Sequence, residues 1–335
     1  MHPELAAHLH CPACHTPLRA TFGERKGPHV MSGSLACESC AIAYPIVRGV
    51  PRMNRDFEGL ERVARAFDLQ WKLQQSGQLE GETLYGWTTE EDWALFQRAL
   101  NVRDEDLQGA AVLDAGCGTA RLTRQIARRG AALAVGLDVA DSVDEAFDAC
   151  RDEPDIHIVQ GNVAALPFES GTFDLVWCRG VLHHTPDPPA GHRELARSVR
   201  PGGKLYVWVY SQRFSPFRFV KDVLDAFRIT RLPPRALFAV CRAMAYPSLA
   251  LLTAYRAVRR VPGLRPTTAR GHRVTRRRGL REVQLTWFDA LAPEHNSRHT
   301  EEEVMGWFRA VGFEQIACLE EPKIGVRGVR PTESR

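Results

Sequence analysis

The sequence predicts an α/β fold with a ligand-binding loop at the carboxyl end of a buried strand. The apolar residues 112–113 indicate that strand, and two glycines one residue apart and a helix start come soon after it. Gly116 and Gly118 let the backbone turn tightly and approach a ligand without interference from a Cβ atom. A second apolar stretch, residues 132–137, predicts another strand, which ends in Asp138, twenty residues after Gly118. Glycine loops of this kind usually hold a nucleotide.

Two acidic residues narrow the class of ligand. Asp114 lies directly before the loop, where it would repel a pyrophosphate but suits a cationic group such as the ammonium of a methionine moiety. Arg121 replaces the third glycine of the dinucleotide-binding motif. Asp138 stands where a carboxylate can accept hydrogen bonds from both ribose hydroxyls. Together with the two glycines, these acids predict S-adenosylmethionine (SAM) as the ligand.

Further strands and turns follow in a fixed order. They are residues 156–159, Gly161-Asn162-Val163, 173–178, 180–188, the turn 200–203 and the strand 204–210. From about Leu113 to Gly203 the chain resembles the class I SAM-dependent methyltransferases of the type 11 group. The resemblance implies a Rossmann-like sheet of seven strands with helices on both faces. It also implies further cofactor-binding positions, which are Cys117, Val139, Asn162, Val163, Cys178 and Arg179.

Two of these positions have a second interpretation. The family usually has Asp where this chain has Asn162, facing the adenine amino group, but an amide oxygen can accept the same hydrogen bond. Cys117 lies inside the glycine loop with no base beside it in the sequence, which favours a small filler over a nucleophile.

The N-terminal region contains two pairs of cysteines at the C-x-x-C spacing, with 22 residues between the pairs. The four residues are Cys11, Cys14, Cys37 and Cys40. Four thiolates in this pattern suit a tetrahedral zinc ion, which would be structural because no coordination position stays open. A hairpin over residues 18–35 can fill the gap. The alternatives are unrelated cysteines or a redox dithiol. The following residues 44–51 are similar to small zinc-ribbon proteins that activate methyltransferases acting on tRNA and translation factors. That resemblance implies a role in substrate docking, domain contact or stability.

The composition limits the number of domains, the class of partner and the cellular location that can be expected. A chain of 335 residues with 44% hydrophobic residues can form two domains or one enlarged domain, and a net charge of +4 is too small to indicate a polyanion partner. Nine cysteines without a signal peptide predict a reducing, cytoplasmic location. The longest apolar stretch, residues 236–255, contains Arg242 and Pro247 and is expected to fall short of a membrane span, so no transmembrane segment is predicted.

We therefore expect three parts: a zinc-ribbon module at 1–53, a helical cap or linker at 54–108 and a methyltransferase domain at 109–335. The aromatic residues of the second part favour packing over substrate contact. The third part carries a helical, arginine-rich insertion at 211–285 after the fifth strand. Residues 214–257 predict two or three helices broken at Pro233-Pro234 and at Pro247, and residues 256–281 contain ten arginines and no acid. That run favours a solvated face, with RNA, anionic lipid or a phosphorylated substrate as alternatives.

The C-terminal part predicts one helix and two strands. Thr300 and Glu303 form a capping box that starts a helix reaching about Val311. Residues 313–319 and 324–329 are expected to complete the sheet as its antiparallel edge.

Histidines are the candidates for a general base. His183 and His184 follow the fourth strand, where the family places its acceptor pocket, and histidine titrates near neutral pH. His295 and His299 are weaker candidates. The alternative is that one of the pair packs and the other caps a turn.

The predicted activity is SAM-dependent methyl transfer to a small-molecule acceptor at oxygen, the acceptor being bulky, amphiphilic or anionic. One alternative is an RNA methyltransferase that grips phosphates with the zinc ribbon and the arginines. Another is a non-catalytic scaffold that binds a partner. The sequence leaves the substrate and the oligomeric state open.

Overall fold

A computed structural model describes residues 1–54, 61–75, 87–212, 216–258, 279–319 and 324–332. The strands of the N-terminal module are β1 (Arg19–Phe22), β2 (Arg25–Lys26), β3 (His29–Val30), β4 (Ser32–Cys37), β5 (Ile42–Val47) and β6 (Val50–Pro51). The strands of the main sheet are β7 (Ala111–Ala115), β8 (Leu133–Asp138), β9 (Ile156–Gln160), β10 (Phe173–Arg179), β11 (Val199–Val209), β12 (Glu314–Leu319) and β13 (Ile324–Val329). The α-helices are α1 (Glu61–Gln75), α2 (Thr89–Leu100), α3 (Arg121–Ala127), α4 (Val143–Cys150), α5 (Pro188–Ser198), α6 (Pro216–Ala226), α7 (Pro234–Val258), α8 (Leu280–Leu291) and α9 (Glu301–Ala310).

The main sheet confirms the predicted α/β fold with seven strands. Its order is β12-β13-β11-β10-β7-β8-β9. Neighbours from β11 to β9 pair in parallel, whereas β13 is antiparallel to both β11 and β12. Only β13 therefore runs opposite to the other six strands of this sheet. It lies between β11 and the edge strand β12. This is the strand arrangement of a class I methyltransferase.

The N-terminal module packs directly against this sheet. A single buried cluster joins Leu5 and Leu9 of the module with Leu113 of β7 and Leu137 of β8. The backbone N–H of His10 donates to Pro167 O at 2.9 Å. The module and the methyltransferase domain therefore share one core. The module is too small to bury its apolar residues alone, and the sheet supplies the remaining surface.

The same module covers the open edge of the sheet at β9. The N–H of Met53 donates to Gln160 O at 2.8 Å, and Arg52 pairs with Gln160 in a parallel bridge. The Arg52 guanidinium forms an ion pair with Asp144 of α4. Backbone groups at a sheet edge are otherwise exposed to pairing with other chains, and this contact satisfies some of them.

The insertion differs from its predicted form at Pro247. A break is confirmed before Pro234, where α7 begins, but α7 continues through Pro247 to Val258. Residues on both sides of the proline, Ala245 and Leu249, belong to the cluster formed with α8, and this packing holds the two halves in one helix.

This continuity corrects the expectation about a membrane span. Residues Pro234–Tyr255, which are 22 residues of α7, form a helical stretch long and apolar enough to cross a membrane, judged by length and composition alone. Residues 259–278, which hold most of the predicted arginine-rich run, lie outside the described residues.

At the C-terminus, the capping box is confirmed. The Glu303 N–H donates to Thr300 Oγ1 at 3.1 Å, and α9 ends at Ala310, shortly before Gly312.

Candidate functional site

The glycine loop leaves the central strand β7 at its carboxyl end. Gly116 and Gly118 adopt φ values of +86° and +53°, in the left-handed region that glycine tolerates best. The N–H groups of Gly116 and Cys117 donate to Leu137 O at 2.7 and 3.1 Å. The loop is thereby tied to β8, and α3 starts directly after it.

Asp114, the first predicted cofactor contact, lies at the end of β7 and is 4% exposed. Thr123 of α3 donates its hydroxyl to Asp114 Oδ2 at 2.7 Å. Burial raises the pKa of this carboxyl from 3.8 to about 7, although the hydrogen bond from Thr123 opposes the rise. A cation bound beside Asp114 would favour the ionised form, because opposite charges attract strongly where water is excluded.

Asp138, the second acid, ends β8 and holds the loop. Its Oδ2 accepts from the Gly118 N–H at 2.9 Å, and its Oδ1 accepts from the Ala140 N–H at 3.0 Å. Burial raises the pKa of Asp138, while these backbone hydrogen bonds lower it. Each carboxylate oxygen has a second lone pair, so the same group can also accept from ribose hydroxyls.

Helix α1 covers the loop. The indole of Trp71 lies against Gly118, such that a Cβ atom there would be 2.9 Å from Trp71 Cε2. Phe67, one turn earlier, stacks on Trp71 with ring centroids 6.4 Å apart. Helix α1, which lies in the predicted cap or linker 54–108, thus places the Trp71 indole over the glycine loop. Its residues 55–60 and 76–86 lie outside the described part of the chain.

The remaining predicted cofactor positions lie at or directly after the carboxyl ends of β8, β9 and β10. Asn162 Oδ1 accepts from the Ala164 N–H at 2.9 Å, so the predicted adenine acceptor also stabilises its own turn. Val163 is buried and Val139 is partly buried. Cys178 is fully buried at the end of β10, and burial raises the pKa of its thiol.

Cys117 is also buried, and burial raises the pKa of its thiol well above 9.0. A protonated thiol is a poor nucleophile, which supports the interpretation of Cys117 as a filler.

Arg179 belongs to a charged cluster beside the site. Its guanidinium lies 4.9 Å from the ring centroid of Trp87 and 5.6 Å from that of Trp208. Asp92 of α2 forms ion pairs with both Arg179 and Arg121. Burial, and then the nearby Arg179, lower the pKa of Arg121 to about 10. Two guanidinium groups thus share one carboxylate next to the glycine loop.

The predicted general bases lie together at the carboxyl ends of β10 and β11. His184 Nδ1 lies 3.0 Å from His295 O, and the His184 ring lies 5.4 Å from that of Phe67. His183 is fully buried and stacks on Tyr210 at 3.9 Å between centroids. The His299 ring contacts Glu303 at 2.7 Å and Ser297 at 2.9 Å, and the His299 backbone N–H donates to Tyr210 O at 3.0 Å.

Sequence reasoning missed one pair in this region. The hydroxyl of Tyr210, just after β11, donates to Asp289 of α8. The sequence signal is weak, since it consists of a single acid in an otherwise apolar stretch of helix. Only the folded chain brings the two residues together.

The four predicted zinc ligands converge at the tip of the N-terminal module. The Sγ atoms of Cys11, Cys14, Cys37 and Cys40 all lie within 4.8 Å of one another. Tetrahedral zinc with bonds of about 2.3 Å requires sulfur atoms about 3.8 Å apart, so this group fits such an ion. Thr16 Oγ1 lies 3.1 Å from Cys14 Sγ, and this hydrogen bond lowers the pKa of Cys14 to about 6.

The fold and the loop define the class of protein as a methyltransferase-like α/β protein with an attached four-cysteine module. Residues 113–207 match the sequence profile of the methyltransferase domain family, and residues 2–49 match that of Trm112p-like proteins. The chain therefore contains a methyltransferase domain preceded by a Trm112p-like domain.

Curated relatives are similar over the methyltransferase region. A ubiquinone biosynthesis O-methyltransferase of Xanthomonas oryzae pv. oryzae is 36% identical over 133 residues, which cover 39% of this chain and 54% of the relative. One from Neisseria meningitidis serogroup C is 35% identical over 112 residues, covering 30% and 44%. The chain spans about half the length of the curated relatives it matches.

Among solved structures, the complex of the Haloferax volcanii Trm112 methyltransferase activator with a methyltransferase is 17% identical, with a TM-score of 0.48. The match covers 81% of this chain and 99% of that chain.

Proposed function

We propose that the protein binds SAM and transfers its methyl group to a hydroxyl oxygen of a small-molecule acceptor. The observation that carries the proposal is the loop from Asp114 to Gly118, held open by the Asp138 carboxylate within a matched methyltransferase domain. Asp114 would pair with the cofactor's ammonium group, and Asp138 would accept from its ribose. The remaining implied contacts, from Val139 to Arg179, would surround the adenine and the methionine chain.

The choice of oxygen is supported by the curated relatives, which are named O-methyltransferases. When bound, SAM supplies an electrophilic methyl group on a sulfonium with a neutral leaving group. A hydroxyl acceptor must lose a proton, and His184 is the candidate to take it. A carbonyl oxygen can only accept, so the contact with His295 O places hydrogen on Nδ1 and the basic lone pair on Nε2. The cap formed by Phe67 and Trp71 would exclude water and align the groups.

The charged cluster beside the loop supports an anionic or aromatic acceptor. Arg121 and Arg179 both lie beside the glycine loop, where Asp92 pairs with each of them. Trp87 and Trp208 provide ring faces next to Arg179. An acceptor with a ring and a negative group would satisfy both features.

We further propose one structural zinc ion held by the four cysteines of the N-terminal module. The support is their convergence within 4.8 Å.

The experiment uses purified protein, methyl-labelled SAM and a fractionated cell extract. We expect label in organic-extractable small molecules that is stable to mild base, as an ether is. His184→Ala should reduce the rate about 10²- to 10⁴-fold and flatten its rise with pH, while SAM affinity stays unchanged. Label in RNA would favour the alternative acceptor. If the protein binds SAM but no molecule in the extract becomes labelled, the result would favour a non-catalytic scaffold.

A further inference from the structure

Exposed apolar side chains concentrate on the helical insertion. Seven large hydrophobic residues are exposed among those whose burial the structure describes, and six belong to α6, α7 or the segment between them. These six, called the insertion patch below, are Val223, Phe227, Leu232, Tyr246, Leu251 and Tyr255. Phe227 is 75% exposed and Leu251 is 72% exposed. Large apolar surface left in water marks an interaction site.

The exposed face of α7 is apolar along most of its length. Only 17% of its most apolar 18-residue window is buried. Between positions 236 and 255, Arg242 is the one charged residue, and its exposed neighbours are mainly alanines and the patch residues. The opposite face is already occupied, because Leu237, Cys241 and Ala245 are buried in the cluster with α8.

The charged residues around the insertion patch are mainly arginines, and the exposed acid Asp222 lies beside Val223 on α6. Arg228, Arg231, Arg235 and Arg242 are exposed on or beside α7. The sequence contains no Asp or Glu from Ala226 to Arg281. Asp225 precedes this stretch, and Lys221 pairs with it at 2.7 Å. Exposed aromatic and aliphatic groups with arginines between them match a lipid surface whose headgroups are negative.

We propose that the insertion patch docks the protein on the surface of a membrane that contains anionic lipids, with α7 lying in the plane of the interface. Helix α7 cannot leave α8 to cross the bilayer without breaking its buried face. Trp287 Nε1 donates to Ser248 Oγ at 2.9 Å, and Gln284 Nε2 donates to Phe238 O at 2.9 Å, so α8 holds both halves of α7. This docking does not depend on methyl transfer.

The helices that carry the docking surface pack on their buried side against α1, which contacts the candidate acceptor site. Ala66 of α1 belongs to the cluster that α7 and α8 form. The next residue, Phe67, contacts His184.

Vesicle flotation tests the proposal, with phosphatidylcholine alone and with added phosphatidylglycerol. The wild-type chain should bind the anionic vesicles and release as salt rises, because salt screens the arginines. Phe227→Ser combined with Leu251→Ser should weaken binding at least about tenfold. The control is Val47→Ser, which changes an exposed apolar residue (44% exposed) outside the insertion, on β5 of the N-terminal module.

The charge is tested separately. Arg231→Glu combined with Arg242→Glu should weaken binding to anionic vesicles about tenfold or more, whereas Arg19→Glu, far along the chain in β1, should have little effect. Unchanged binding in the serine pair would overturn the proposal, as would retention in the bilayer after carbonate washing, which indicates a span. Two other results would also overturn it: a dimer in light scattering that Leu251→Ser dissociates, or binding to RNA with none to vesicles. Thermal melting should show every variant folded.

Discussion

The carboxylate of Asp138 accepts a hydrogen bond from the backbone N–H of Gly118 at 2.9 Å. The residue predicted to bind the cofactor's ribose is thus also the residue that fixes the cofactor loop. A single acid links β8 to the turn after β7. Any change at this acid should therefore affect both loop geometry and ligand binding.

Replacing Asp138 with alanine should weaken SAM binding by about 5- to 150-fold, roughly 1–3 kcal/mol. Two ribose hydroxyls would lose their acceptor, and the Gly118 N–H would lose its partner. Titration calorimetry measures the change, with Glu169→Ala, an exposed acid, as the control. Affinity equal to wild type would show that Asp138 does not contact the cofactor.

The affinity for SAM should rise with pH up to about 7 and then level off. In the free protein the pKa of Asp114 is raised to about 7 by burial, whereas the ordinary value is 3.8. The cofactor's ammonium requires the ionised carboxylate, so binding below pH 7 must release a proton. Calorimetry in buffers of different ionisation enthalpy measures that proton. Asp114→Asn should bind more weakly, with no pH dependence in this range.

The same raised pKa predicts that the stability of the fold falls as pH rises, whereas the affinity for SAM rises. Between pH 3.8 and about 7 the unfolded chain has this carboxyl ionised while the folded chain keeps it protonated. The stability contributed by the protonated group is therefore complete below pH 3.8 and is lost as pH rises through 7. Without SAM, Asp114→Asn should then have a higher melting temperature than the wild type at pH 8. A lower melting temperature at pH 8 would contradict the raised pKa.

Replacing Trp71 with alanine should speed SAM dissociation about fivefold, corresponding to roughly 1 kcal/mol of lost contact. The indole lies over Gly118 and would close over the bound cofactor. Stopped-flow displacement measures the rate. Trp71→Phe should keep most of the cover over the cofactor. The change in tryptophan fluorescence on SAM binding should be lost in Trp71→Phe and kept in the control variant Trp307→Phe. Tighter binding in Trp71→Ala would mean that the indole blocks the site.

Loss of zinc should destabilise the whole chain and not only its first 53 residues. Leu5, Leu9 and Cys11 share one buried cluster with Leu113 and Leu137 of the sheet. Cys11→Ser should contain no zinc by elemental analysis and should melt roughly 5 °C lower or more, in one transition. Cys318→Ser, a single cysteine of β12, should keep its zinc. An unchanged upper transition in Cys11→Ser would show two independent units.

The sequence by itself determined the elements whose signals are local. Two glycines before a helix, an acid at each of two strand ends and paired cysteines require particular backbone or ligand geometry, and each appears where it was expected. The capping box at Thr300 is of the same kind, because its hydrogen bonds join residues only three positions apart.

The tertiary structure decided what depends on contacts between distant residues. Pro247 stays inside α7 because α8 supports the helix on both sides of it, and a local rule cannot include that support. The Tyr210–Asp289 pair joins residues 79 positions apart. The N-terminal module is not an independent unit, because Leu5 and Leu9 are buried in one cluster with Leu113 and Leu137 of the sheet. Such burial is a property of the whole packed chain.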